Sequence, residues 1–175
     1  MAEIKLNVSE IRNRATSLYA GDSVLLSGVV YTARDAAHRR IFELLDKGGN
    51  LPFEIDGSCV YYCGPTETPD NLPIGSCGPT TSGRMDPYSP RLLDLGMVAM
   101  IGKGARSKEV NDAIVRNKAV YFCAIGGAGA LAARCVKGLE VIGFDDLGCE
   151  SVKRIVLKNF PVIVATDCHG NTLFK

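Results

Sequence analysis

The sequence has almost no net charge to spare: 20 Lys and Arg stand against 19 Asp and Glu, which leaves +1. No overall field therefore favours nucleic acid or an anionic membrane as a partner. It lacks any apolar run of the ~18 residues that crossing a bilayer takes. Residues 1–20 carry Lys5, Arg12 and Arg14 and no apolar stretch, so they do not read as a secretory leader. Histidine is scarce, with His38 and His169 alone, and there is no Cys-x-x-Cys pair. Zinc-finger spacings are thereby excluded. Internal repeats and low-complexity tracts are missing as well.

What is present is ordinary globular usage: 46% hydrophobic and 22% charged residues in a chain of 175. That length suits one domain, 1–175, able to bury a core without staples. The seven cysteines are many for this size. An odd count without a leader reads as reduced thiols in a cytoplasmic protein. Cys123, inside the apolar run AVYFCAI, behaves as a small hydrophobe. Cys59, Cys63 and Cys77 are the one set that a three-thiol metal site could draw on, and their spacing does not favour it.

Patterning predicts alternating elements. IKLNV alternates like a half-buried strand, a polar piece follows, and SVLLSGVVYTA reads as a buried strand. A helix is expected from Asp35 to Lys47, stopped by Gly48-Gly49. CVYYC is a further strand. Gly64 to Pro90 holds six prolines and no period, and a loop of that length inside a compact domain is usually functional. Then come a short helix PRLLDL, a strand MVAMI, a helix SKEVNDAIVRN with Ser107 as N-cap, and a strand AVYFCAI. A helix AGALAARCVKG ending at Gly138, a strand LEVIGF and two terminal strands complete the chain. Interleaved helices and strands indicate an α/β layer fold in the second half. The first and last strands are expected to form a separate antiparallel or mixed patch.

Four segments could carry chemistry. YTARDAAHRR puts Arg34 and Asp35 where a strand passes into a helix, the side on which open α/β sheets bind ligands. The ordinary reading is a capped helix with an Asp35–His38 pair. GPTTSGRMD places two hydroxyls, Thr80 and Thr81, and the guanidinium of Arg84 in one short loop. One helical turn would put Thr80 and Arg84 on the same side; the ordinary reading is a rigid loop with an Arg84–Asp86 ion pair. In MIGKGARSK, Lys103 stands between two glycines that would clear room around its ammonium. AIGGAGALAA could cradle a phosphate, but its spacing departs from G-x-G-x-x-G, and close packing explains its glycines better.

Together RDAAH, GPTTSGRMD, IGKG, AIGGAGAL and the tail NFPVIVATDCHGN resemble the C-terminal domain of class I fumarases and the β subunit of L-tartrate dehydratase. The motifs keep the family's order from about Gly21 to Phe174. The resemblance implies a swivelling β/β/α domain, a single three-layer unit with a mixed sheet. It implies one part of an iron–sulfur hydro-lyase that hydrates fumarate to malate, or dehydrates tartrate to oxaloacetate, with a non-catalytic partner-binding module as the other alternative. The 4Fe-4S cluster is expected on a separate α subunit and no metal on this chain, in an assembly of α2β2 type. By motif match Thr80 corresponds to the catalytic threonine, and Arg34, Thr81, Arg84 and Lys103 to substrate-binding positions.

Overall fold

In the computed structural model, which describes residues 3–125 and 127–174, one mixed seven-stranded sheet organises the chain. The strands are β1 (Ile4–Asn7), β2 (Ser23–Thr32), β3 (Cys59–Tyr61), β4 (Ala99–Gly102), β5 (Val120–Cys123), β6 (Val136–Gly143) and β7 (Val152–Thr166). The α-helices are α1 (Ile11–Arg14), α2 (Asp35–Lys47), α3 (Ser89–Asp94), α4 (Lys108–Arg116) and α5 (Gly129–Arg134). The spatial order is β1-β2-β3-β4-β5-β7-β6, and β2 also pairs with β7. Neighbours from β1 to β5 run parallel; β7 runs antiparallel to β2, β5 and β6.

The β2–β7 pairing closes a ring of five strands, with β1 and β6 attached outside it. The register joins Ser23 to Ile163 at one end and Thr32 to Lys153 at the other. The terminal strands are therefore part of the one sheet and not a separate patch. Of the two strands expected at the end, the first is the long β7, and beyond the turn at His169-Gly170-Asn171 the chain makes a single antiparallel bridge, Thr172 to Thr166. β7 runs through Asn159-Phe160-Pro161, and Asn159 takes a positive φ of 51° where the register shifts between Leu26 and Gly28.

Two cores explain the apolar runs. Tyr61, Cys59, Ile101 and Phe122 point into the ring and pack with Leu26, Val30, Phe160 and Val164. Their neighbours Tyr62, Val60, Met100 and Tyr121 point outward and pack with Ala37 and Ile41 of α2, Leu92 and Leu93 of α3, and Val110 and Ile114 of α4. Strands buried on both faces lose the period-2 alternation and read as continuous apolar segments.

Helix ends follow the local chemistry. Gly48 closes α2 in the left-handed conformation (φ 67°), its N–H bonding Leu44 and Leu45 carbonyls. Ser107 Oγ caps α4 by accepting from Val110 N at 3.3 Å. The polar piece after β1 is helical: Val8, Ile11, Ala15 and Leu18 are all buried along turns of 3₁₀ and α1. α5 is shorter than expected; it stops at Arg134, and Gly138 lies inside β6.

Candidate active site

The parallel strands β2, β3, β4 and β5 all end on the same side, and the expected site residues leave from those ends. Arg34 follows β2 and is the residue before α2; its backbone is extended and its side chain caps nothing. Lys103 follows β4 and is exposed. The long loop returns over the end of β3, where Thr80 N–H donates to Tyr62 O at 2.7 Å. Thr81 then forms a parallel bridge with Lys103, and Ser82 N–H donates to Lys103 O at 2.9 Å. A 3₁₀ turn over Ser82–Met85 carries Arg84, whose Nε donates to Asp35 Oδ1 at 2.9 Å. Arg34, Thr80, Thr81, Arg84 and Lys103 thus all lie on the side of the sheet where the parallel strands end.

Several expectations about the local geometry change. Thr81 is extended and the 3₁₀ turn begins only at Ser82, so Thr80 does not share a helical turn with Arg84. Arg84 pairs with Asp35 and not with Asp86. His38 Nδ1 bonds Arg34 O at 2.7 Å, the ring lying between Tyr62 and Tyr88, in place of a contact with Asp35. Burial lowers the His38 pKa to about 4, so the ring is neutral at ordinary pH. Gly102 does not make room for Lys103. A Cβ there would stand 1.9 Å from Ser82 Oγ, so the glycine allows the threonine loop to lie directly on β4.

A buried network beneath the threonine loop escaped the sequence. Arg106, with no exposed side-chain surface, donates to Asp86 Oδ1 (2.7 Å) and Ser89 Oγ (2.7 Å), and its guanidinium sits over the rings of Tyr62 and Tyr121. Asp86 also accepts from Ser107 N (2.7 Å). The Tyr121 hydroxyl bonds Ser82 Oγ (2.9 Å) and Gly104 O (2.8 Å), and Ser82 Oγ accepts from Lys103 N (3.0 Å). Both ends of the threonine–arginine loop are thereby fixed to the strands. Only the ARSK string in front of α4 hinted at Arg106, and it gave no sign of burial.

Of the glycines in AIGGAGALAA, Gly129 serves packing, whereas Gly127 has open space where a Cβ would stand. Gly129 meets the long loop, where an added Cβ would be 2.2 Å from Ser76 Oγ and 2.9 Å from Gly78 N. Gly126 lies outside the described residues. The apolar groove beside this segment, lined by Ala124, Ile125, Leu131, Phe160 and Pro161, contains none of the five site residues.

Among the described residues no three His, Cys, Asp or Glu are grouped to hold a metal ion. Cys59 and Cys63 are fully buried and desolvation pushes both thiols up, while Cys77 is raised to about 11. Thiols held protonated in this way are poor ligands for iron. Cys59, Cys63 and Cys77, the set the spacing offered, are therefore a poor fit to a cluster.

The comparisons give the class. The family model described as Fumarase C-terminus matches residues 1–175, and the chain belongs to that family. It is 43% identical over 156 residues to "Fumarate hydratase 1, mitochondrial" of Leishmania major, covering 86% of this chain and 28% of that protein. It is 40% identical over 152 residues to "Fumarate hydratase class I, anaerobic" of Escherichia coli K12, again 86% and 28%. It is also 40% identical over 164 residues to "Putative L(+)-tartrate dehydratase subunit beta" of Methanocaldococcus jannaschii, covering 90% of this chain and 84% of that protein. The chain therefore spans less than a third of these two fumarate hydratases and most of the β subunit.

Proposed function

We propose that this chain is the β part of a two-part hydro-lyase that adds water reversibly to fumarate, and that it grips the dicarboxylate with Arg34, Arg84 and Lys103. The observation that carries the reading is the placement of these cations and two threonines on one side of the sheet, at the ends of parallel strands. Two carboxylates entering a partly dry cleft must be paired, because unpaired buried charge is costly. Each guanidinium offers a planar fork that suits a carboxylate, and Lys103 adds a point charge. Three cations facing Asp35 and Glu150 leave a surplus positive charge for an anionic substrate.

Dehydration of malate needs a proton taken from the carbon beside one carboxylate while hydroxide leaves the next carbon. Charge builds on that carboxylate as the proton departs, and the fixed cations stabilise it there. Thr80 is the group assigned to take the proton, and Thr81 orients substrate. A free hydroxyl is too weak an acid for this at neutral pH, so Thr80 Oγ needs a desolvated site and a neighbouring cation to ionise. An iron–sulfur cluster held by a separate α subunit supplies Lewis acidity in this family reading, in an assembly of α2β2 type in the cytoplasm. In this reading the chain acts as a swivelling β/β/α unit against that partner.

Tartrate is the second substrate to consider, because the tartrate dehydratase relative matches over 84% of its own length. Anaerobic mixing with a cluster-bearing α chain tests the proposal. The pair should hydrate fumarate and each chain alone should not. Turnover by this chain alone without iron would end the split-site reading.

A further inference from the structure

The three cations of the site are held in different ways. Lys103 is exposed at the end of β4, whereas both arginines have a carboxylate on the Nε edge. Arg84 Nε donates to Asp35 Oδ1 at 2.9 Å, whereas Arg34 Nε lies 3.9 Å from Glu150 Oε1, beyond hydrogen-bond reach, and is buried without a partner among the described residues. No terminal nitrogen of either arginine donates to a described residue. A guanidinium has five N–H groups, and an acceptor at Nε leaves the four on the terminal nitrogens for another ligand.

Both carboxylates are seated on the first turn of α2. Asp35 is its first residue, and Glu150 Oε1 accepts from Ala36 N at 3.3 Å. The segment carrying Glu150 is itself locked. Arg40 of α2 makes a two-point contact with Asp146, at 2.6 and 2.8 Å. Lys153, a nearly buried residue of β7, bonds through Nζ to Ser151 Oγ (2.8 Å) and to the carbonyls of Cys149 (3.1 Å), Ser151 (3.1 Å) and Gly148 (3.3 Å). On its other side Arg34 lies against Gly64, where an added Cβ would stand 2.9 Å from Nη1.

We propose that Asp35 is a positioning residue that holds Arg84 by the Nε edge and aims its terminal nitrogens at the substrate, and that Glu150, on a segment locked by Lys153, positions Arg34 by its facing charge without a hydrogen bond. This rests on the dicarboxylate reading of the site. A side chain as long as arginine has many rotamers in water; a fixed Nε removes most of that freedom before substrate arrives.

Kinetics of the chain joined to its cluster-bearing partner test the proposal. In Asp35→Ala the KM for the dicarboxylate should rise about tenfold, and Asp35→Asn, which keeps an acceptor, should recover part of that loss. Glu150→Gln and Lys153→Met should each raise KM about threefold to tenfold, with the folded fraction unchanged. A purely structural role would lower kcat with the amount of folded protein and leave KM alone, and that outcome overturns the proposal. So does a fall in KM, which would make Asp35 a competitor of substrate for Arg84. If the wild-type pair turns over no dicarboxylate, the reading of the site fails, and the brace is then read in the free chain. The Nε–H of Arg84 should exchange slowly with water in wild type and rapidly in Asp35→Ala by nitrogen-resolved NMR. Equal rates in the two proteins would sink the brace by itself.

Discussion

One short stretch of chain supplies both halves of an instructive comparison: Arg84 reaches out to Asp35, and Asp86, two residues on, reaches in to Arg106. The outer pair has side chains 52% and 25% exposed; the inner pair has 0% and 16%. Arg106 donates to Asp86 and Ser89 and is covered by two tyrosine rings. Arg84 spends one nitrogen on Asp35 and keeps its fork open. Identical chemistry therefore does opposite work. The buried pair holds the loop, and the exposed pair leaves a cation available. Surface pairs contribute little to stability, whereas breaking a buried pair strands a charge.

The sharpest way to break that contrast is Asp86→Ala. It leaves the Arg106 guanidinium buried without its carboxylate, and should cost about 3–5 kcal/mol of folding stability. Urea unfolding measures it. Arg84→Ala should do the reverse: unfolding is unchanged within about 0.5 kcal/mol, while kcat/KM of the assembled enzyme falls about 10²–10³-fold. Near-normal kinetics in that variant would remove Arg84 from the site.

His38 is fully buried against Tyr62 and Tyr88, and burial is the main cause that lowers its pKa, with smaller opposite effects from Arg106 and Asp35. Its folded pKa of about 4 lies below the ordinary 6.5, so the unfolded chain takes up the proton first. The stabilisation is whole above pH 6.5 and is lost as pH falls toward 4, about 3 kcal/mol in all. The slope of stability against pH in that window should flatten in His38→Asn. The smallest effect belongs to Tyr121→Phe, which removes the hydroxyl bonding Ser82 and Gly104. A loss of about 1 kcal/mol in stability is expected, with a modest rise in KM, as the loop loosens over β4.

Much of this arrangement was legible beforehand because it is local. The span of α2, the Ser107 cap and the strands buried on both faces follow from residue type and spacing. The five candidate residues were reached through motif resemblance, and the strand ends bring them to one side of the sheet. Partnerships were not legible. Nothing local tells whether Asp86 takes Arg84, two residues away, or Arg106, twenty residues away; the ring closure and the helix layer decide it. Val8, Ile11, Ala15 and Leu18 did carry a helical spacing, hidden among polar neighbours. The end of α5 was misread because Gly138 resembles a helix stop, although it faces Val156 across β6 and β7.

The antiparallel pairing of β2 with β7 also dictates an order of events during synthesis. Residues 23–32 emerge early and must wait for residues 153–163 before the barrel can shut. Until then the inward side chains of β2, Val24, Leu26 and Val30, have no opposite wall. Such long-range closure slows folding and leaves a sticky nascent chain. Translation that stalls before β7 would release a polypeptide prone to aggregate.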